Sequence, residues 1–410
     1  MTQQTWKSET RNQKPETSLW MQQGNQVLMN TYARQPVVMV RGQGTRLWDL
    51  EGTEYLDFLA GIAVCNLGHA HPAVAAAVAR QMQELVHVSN LYYTLPQIEL
   101  AQRLVDLSFA DQVFFANSGA EANEGAIKLC RRYSQTKFGP GRYKIICATN
   151  SFHGRTLATL SATGQEKFWQ GFEPLLPGFI FVPFDDLAAT AAAIDEQTCA
   201  ILVEPIQGEG GVKVPSPDYL PGLRRLCEEH NLLLVLDEIQ VGLGRTGRLF
   251  AYEHTGIKPD IITLAKALAN GLPIGALLVT AEVSQGFVPG THASTFGGGP
   301  VVTAAALAVL DILAQPEFLA EVRSKGEYFL TGLRTLQQQH AIVKEVRGSG
   351  LILGLEIDGD GVPLVAACRE RGVLINCTQG NVLRFLPPLI VSREEIDQVI
   401  DILDKVLAAI

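Results

Sequence analysis

The sequence predicts an α/β protein: a large, mainly parallel sheet carries the site, and a smaller α/β part is assembled from both chain ends. Three observations predict it. Compact apolar runs alternate with helically spaced segments from about residue 97 to residue 280. The runs are apolar throughout rather than on alternate residues, as in strands buried on both faces. Turn residues bound each run, and helices between such strands imply a parallel sheet.

In chain order, IELAQRLVDL (98–107) has helical spacing, VFFAN (113–117) reads as a strand, and EANEGAIKLCRRYS (121–134) is helical again. Six more runs read as strands: KIICAT (144–149), FIFVP (179–183), AILVEP (200–205), LLLVLDE (232–238), DIITLA (260–265) and ALLVT (276–280). Before this block, residues 36–66 read as short strands with turns. After it come helices near 300–314 and 316–338, short strands at 351–357 and 382–388, and an amphipathic helix from Arg393. The expected division is a tail or arm (1–30), a small domain (31–75 with 315–410) and a large domain (76–314).

Of 410 residues, 47% are hydrophobic and 18% charged, the balance of a soluble globular protein with an ample core. The net charge of −9, without an Arg or Lys run, argues against nucleic acid or an anionic membrane as partner. No stretch approaches the roughly 20 apolar residues of a membrane span, and the polar first 20 residues do not resemble a secretory signal. Cys65, Cys130, Cys147, Cys199, Cys227, Cys368 and Cys377 form no CxxC pair or metal-type spacing. They read as thiols in a reducing compartment, so a cytoplasmic protein without a metal site is expected.

In parallel sheets ligands collect beyond the carboxyl ends of strands, where Asn117, Glu204, Asp237 and Lys266 fall. Lys266, after an apolar strand, is placed to be desolvated, which lowers an amine's pKa and lets it attack an aldehyde. Read alone, it is more readily a solvated lysine opening a helix. Asp237 ends a fully apolar strand, where a carboxylate needs a cation. A protonated pyridine nitrogen is one such cation; a helix cap or a salt bridge to Arg245 would also serve. Asn117-Ser118-Gly119-Ala120-Glu121-Ala122-Asn123 joins strand to helix and offers backbone N–H groups to a phosphate. Ser294-Thr295-Phe296-Gly297-Gly298-Gly299 offers hydroxyls and flexible backbone from another side, or is simply a glycine-rich loop.

The ordered series NSGAEAN, FHGRT, EPIQGEGG, VLDEIQ, AKALANG and HASTFGG resembles the class III, or ornithine-type, aminotransferases from about Arg34 to the carboxyl end. The resemblance implies the fold-type I architecture of pyridoxal-phosphate-dependent transferases. It implies that Lys266 carries pyridoxal 5'-phosphate as an imine and then shuttles a proton. Asp237, Glu238, Ile239 and Gln240 belong to the implied cofactor site, with Asp237 on the pyridine nitrogen and Gln240 near the phenolic oxygen. Phe152 is implied to stack on the ring, and Ser118, Gly119 and Ala120 to hold the phosphate. Thr295 is implied to reach that phosphate from a neighbouring subunit, with Ser294 near the substrate, so a homodimer with shared sites is expected.

On the substrate side the resemblance gives Arg155 the distal carboxylate, with Tyr32 assisting, and Arg384 the α-carboxylate of glutamate or 2-oxoglutarate. An arginine fork suits both tasks. Glu209 is implied to pair with Arg384 when the amine donor has no carboxylate there. His153 reads as a supporting residue, as does Glu204. Two departures stand out: Ile62 replaces the tyrosine of ornithine-specific members, and Gly299 replaces a usual asparagine. Ile62 suits an acylated amine or a smaller ω-amino acid. The implied reaction is transfer of the terminal amino group of N-acetylornithine to 2-oxoglutarate, a ping-pong exchange through pyridoxamine phosphate serving arginine biosynthesis. 4-Aminobutyrate, ornithine, succinyl-ornithine and acyl-lysine are the alternative donors.

Overall fold

Residues 17–409 are described by a computed structural model. Residues 1–16, most of the expected tail, lie outside them; Thr17–Val27 is a helix with no buried residue. Three short strands come first, β1 (Met39–Gln43), β2 (Arg46–Asp49) and β3 (Glu54–Asp57), paired antiparallel in sequence.

Seven strands follow: β4 (Gln112–Ala116), β5 (Lys144–Ala148), β6 (Phe179–Val182), β7 (Thr198–Val203), β8 (Leu233–Asp237), β9 (Ile261–Leu264) and β10 (Gly275–Val279). They form one sheet in the order β4-β10-β9-β8-β7-β5-β6. Strands β5 to β9 pair in parallel. Strand β10 is antiparallel to both neighbours, so β4 points the same way as the parallel five. The sheet is mainly parallel, as expected, with one reversal. A run of apolar residues reports burial, not direction, so ALLVT gave no hint that it runs backwards. Burial explains the composition: β7, β8 and β10 are buried at every position, and each fully buried Leu, Val or Ile contributes about 1.5–3 kcal/mol.

The carboxyl-terminal part adds β11 (Val343–Ser349), β12 (Ile352–Ile357), β13 (Val373–Leu374), β14 (Asn376–Thr378) and β15 (Val382–Phe385). Strands β11-β12-β15-β14 make an antiparallel sheet, while β13 pairs in parallel with β3 and so joins the two chain ends. Strands β11, β13 and β14 are additions to the sequence reading. VKEVRGS mixes charged, exposed positions with buried ones, and NCT is only three residues long.

Helices Pro300–Leu313 and Pro316–Gln339 follow one another where expected, both with proline in the first turn. The last helix, Arg393–Leu407, opens with a capping box between Ser392 and Glu395 and buries Ile396, Val399, Leu403, Val406 and Leu407, an i, i+3/i+4 stripe. Among the described residues no single helix is long and apolar enough to cross a membrane.

Candidate active site

Because β4, β7, β8 and β9 point the same way, their carboxyl ends lie along one edge of the sheet. Asn117, Glu204, Asp237 and the Ala265-Lys266 step all emerge there, around a cavity of about 450 Å³. Ser118, Gly119, Ala120, Phe152, Arg155, Glu209, Ile239 and Gln240 also line it, so most of the residues expected from the sequence converge.

Lys266 opens a single turn of 3-10 helix with φ +39°, a left-handed conformation costing an L-residue about 1–2 kcal/mol. Among the described residues its amine has no hydrogen-bond partner. Burial pushes the amine below the usual lysine range and nearby Arg384 adds to this; Glu209, Asp237 and Glu204 oppose it. Asp237 is 4% exposed. Its Oδ2 accepts from Asn123 Nδ2 and His153 Nδ1, both at 2.8 Å, and its Oδ1 accepts from the Ile239 N–H at 3.1 Å. Arg245 is not its partner: that guanidinium donates to Leu351 O, Pro387 O and Asn66 Oδ1. Three N–H groups thus fix the orientation of this carboxylate at the cavity.

Ser118 caps the helix Gly119–Phe138, its Oγ accepting from the Glu121 N–H at 3.1 Å. Among the described residues no acceptor takes the N–H of Gly119 or Ala120, and both residues line the cavity. The glycine is required: a Cβ at position 119 would lie 2.8 Å from Ile239 Cδ1. Phe152 presents its ring to the cavity, edge-on to Phe168, and its N–H donates to Glu204 Oε2 at 3.2 Å. Burial, with the charge of Asp237 beside it, lifts the Glu204 carboxyl well above the usual range.

Arg155 is exposed at the rim, with its guanidinium 3.8 Å from the Phe168 ring centroid and in no ion pair among the described residues. Arg384, on β15, is fully buried behind the lining. Its Nη1 donates to Glu209 Oε1 at 2.7 Å and to Gln240 Oε1 at 3.2 Å, and Nε donates to Asn376 Oδ1. Among the described residues its Nη2 has no partner. Burial alone would lift the Glu209 carboxyl, but Arg384 and Lys266 hold it below the usual range.

Besides Arg384, four expected residues do not line the cavity. Glu238 turns its side chain into the core, where Ala251 N and Tyr252 N donate to it and burial lifts it to about 8. Ser294 Oγ accepts from Asn117 Nδ2 at 3.2 Å and from the Gly297 N–H at 3.0 Å, beside the rim. Thr295 is exposed, and Tyr32 is 71% exposed beside Arg34. The sequence reading missed Asn123 and Thr263 as site residues: Thr263 Oγ1 donates to Asn123 Oδ1 at 2.8 Å, and both are fully buried. A lone threonine inside an apolar strand was the available signal. Val64 and residues 271–274, which also line the cavity, carried no chemical signal.

The model of the "Aminotransferase class-III" family matches residues 28–407. An acetylornithine aminotransferase of Caldanaerobacter subterraneus subsp. tengcongensis is 55% identical over 384 residues, 93% of this chain and 98% of that protein. One of Methanocaldococcus jannaschii is 49% identical over 391 residues, 95% of this chain and 98% of that one. Among solved structures, an ornithine aminotransferase of Toxoplasma gondii, described with partial occupancy of PLP at its active site, superposes with a TM-score of 0.94. It is 36% identical and covers 97% of this chain and 95% of its own. The convergence of a desolvated lysine, a buried carboxylate and two arginines at one sheet edge therefore has a family context: the chain belongs to the class III aminotransferases.

Proposed function

We propose that the protein transfers the terminal amino group of N-acetylornithine to 2-oxoglutarate, using pyridoxal 5'-phosphate. The observation that carries the two-substrate reading is the Glu209–Arg384 pair, a buried arginine covered by a carboxylate that can leave, with Arg155 free at the rim. The acetyl cap rests on the named relatives and on Ile62, which is apolar and 37% exposed where ornithine-specific members carry a tyrosine.

The residues present fit the cofactor. The unpartnered N–H groups of Gly119 and Ala120 at a helix amino terminus suit a phosphate. Asp237 suits a pyridine N–H, Phe152 and Ile239 offer apolar faces to a ring, and Gln240, which also lines the cavity, would approach a phenolic oxygen. When bound, pyridoxal phosphate supplies an aldehyde for the amine and a ring that takes up an electron pair. Lys266 Nζ would hold the cofactor and would take and return the proton of the reacting carbon; its lowered pKa suits that exchange. Arg155, assisted by Tyr32, would grip the distal carboxylate. Glu209 would neutralise Arg384 while the terminal-amine donor is bound, then yield it to an α-carboxylate.

Thr295, which does not line this chain's own cavity, would serve the partner's phosphate in a homodimer, with Ser294 near the substrate. Asn90 Nδ2 donates to Ser294 O and Gly297 O, tying this loop to an apolar surface with Leu91, Tyr92, Tyr93 and Leu95 at 83%, 70%, 92% and 74% exposure. Seven unpaired cysteines support a cytoplasmic setting. The pairing of β3 with β13 supports a small domain of 31–75 and 315–410 beside a large one of 76–314.

Steady-state comparison of N-acetylornithine, ornithine and 4-aminobutyrate tests the proposal. N-acetylornithine is expected to give the highest kcat/KM. A higher value for 4-aminobutyrate would overturn the substrate assignment.

A further inference from the structure

Asn123 is fully buried in the second turn of the helix Gly119–Phe138, where an asparagine is a poor helix former and an unpaired amide is costly. Its amide is used at both ends. Nδ2 donates to Asp237 Oδ2 and to the His153 carbonyl oxygen, both at 2.8 Å, and Oδ1 accepts from Thr263 Oγ1 at 2.8 Å. A carboxylate and a carbonyl only accept, so the NH₂ faces Asp237 and the amide oxygen faces Thr263. Thr263 and Asp237 are register partners on β9 and β8. Their side chains leave the sheet on one face, and the amide spans them from the helix packed there. Gly119, whose N–H has no acceptor among the described residues, lies four positions earlier on the same face of this helix. A carboxylate offers about four acceptor positions, two on each oxygen. Asn123 and His153 fill both on Oδ2, and the Ile239 N–H takes one on Oδ1. The position left for a donor in the cavity is on Oδ1.

We propose that Asn123, anchored by Thr263, is a positioning residue: it fixes which oxygen of Asp237 meets the cofactor's ring nitrogen, and so how strongly the site prefers a ring with an N–H there. The inference rests on the reading that pyridoxal phosphate binds with its ring nitrogen at Asp237. Without the amide, a position on Oδ2 opens and His153 and Ile239 alone hold the carboxylate among the described residues. The carboxylate is then free to turn, and the ring N–H meets an acceptor whose direction is no longer set. Among the described residues the Thr263 hydroxyl bonds only Asn123, so its influence on Asp237 runs through that amide. Without that hydroxyl the amide keeps both donor bonds and loses the one at its oxygen, a smaller disturbance in the same direction.

The test is calorimetric binding, to the full-length apoenzyme, of pyridoxal 5'-phosphate and of its 1-deaza analogue. The analogue keeps the aldehyde and the phosphate but has a C–H in place of the ring nitrogen. The readout is the ratio of the two dissociation constants. Loosened packing weakens both ligands alike and leaves the ratio unmoved, whereas a misdirected Asp237 weakens pyridoxal phosphate alone. Asn123→Ala is expected to lower the preference for pyridoxal phosphate about tenfold, the worth of one hydrogen bond to a carboxylate. Thr263→Val is expected to lower it about threefold, and it carries the test if Asn123→Ala does not fold. The double variant should go no further than Asn123→Ala. An unchanged ratio in either single variant would overturn the inference, as would a full additive loss in the double one. Asp237→Ala separates the two levels. If the preference survives there, the reading that places the ring nitrogen at Asp237 fails; if it collapses there while Asn123→Ala leaves it intact, only the role of Asn123 does.

Discussion

Arg384 is fully buried, whereas Glu209 keeps 28% of its side chain exposed, so the two halves of this ion pair are not equivalent. Truncating Glu209 leaves a buried cation short of a partner, at a cost on the order of 2 kcal/mol because Gln240 and Asn376 remain. Glu209→Ala is therefore expected to lower stability by that amount in denaturant unfolding. It should also lower the KM for 2-oxoglutarate, since nothing competes for Arg384. Arg155 presents the opposite case: exposed and held by the Phe168 and Phe152 rings alone among the described residues, it should change stability by less than about 0.5 kcal/mol when replaced by alanine. Arg155→Ala is instead expected to raise the KM for both substrates at least about tenfold, the loss of one charge-assisted contact. These residues were legible because each sits in a motif with its chemistry exposed in the letters. Asn123 and Thr263 were not. Their bond spans 140 positions, and nothing local distinguishes a buried amide that orients Asp237 from one that merely fills a helix turn.

At the scale of elements, the helix after β4 is both scaffold and ligand site. Ser118→Ala removes its cap, and about 1 kcal/mol of stability should go with it. Pyridoxal phosphate should also bind more weakly, because the same cap fixes the direction of the neighbouring N–H groups; apoenzyme titration checks this. The loop after β3 is a second such element. Residues 60–63 run through left-handed φ values of +49°, +64°, +66° and +59°, three of them without being glycine. Asp57 holds the turn, its Oδ1 accepting from Leu59 N and Ala60 N while its Oδ2 meets His69 Nε2 at 2.7 Å. That bond, with a further contact to Cys65, raises His69 from 6.5 to about 10. A raised histidine stabilises the fold fully below its unfolded value near 6.5, and the contribution is lost as pH climbs through about 10. The stability difference between the protein and His69→Gln should thus be flat below pH 6.5 and vanish by about pH 10 in pH-resolved thermal melts. Apolar runs bounded by turns made the central strands readable, whereas this turn was not, because Ala, Ile and Ala carry no left-handed preference.

At the scale of the molecule, one sheet edge collects Asn117, Glu204, Asp237 and Lys266 because four strands share a direction, and the carboxyl-terminal sheet delivers Arg384 to the same place. The fold class was legible because parallel strands and their helices leave a strong period. The antiparallel β10 and edge strand β11 were not, since their residues report burial and exposure rather than partner. The exposed Leu91–Leu95 surface belongs to this scale too. On the proposed homodimer, Tyr93→Glu, at a side chain 92% exposed, should shift the protein toward monomer in sedimentation and weaken cofactor retention, since Thr295 would be withdrawn from the partner's site. All of this turns on Lys266 as the cofactor's point of attachment. Borohydride reduction of the holoenzyme, digestion and mass spectrometry of the peptides test that directly. The expected result is one fixed cofactor on the peptide containing Lys266; label on another lysine, or on none, would contradict it.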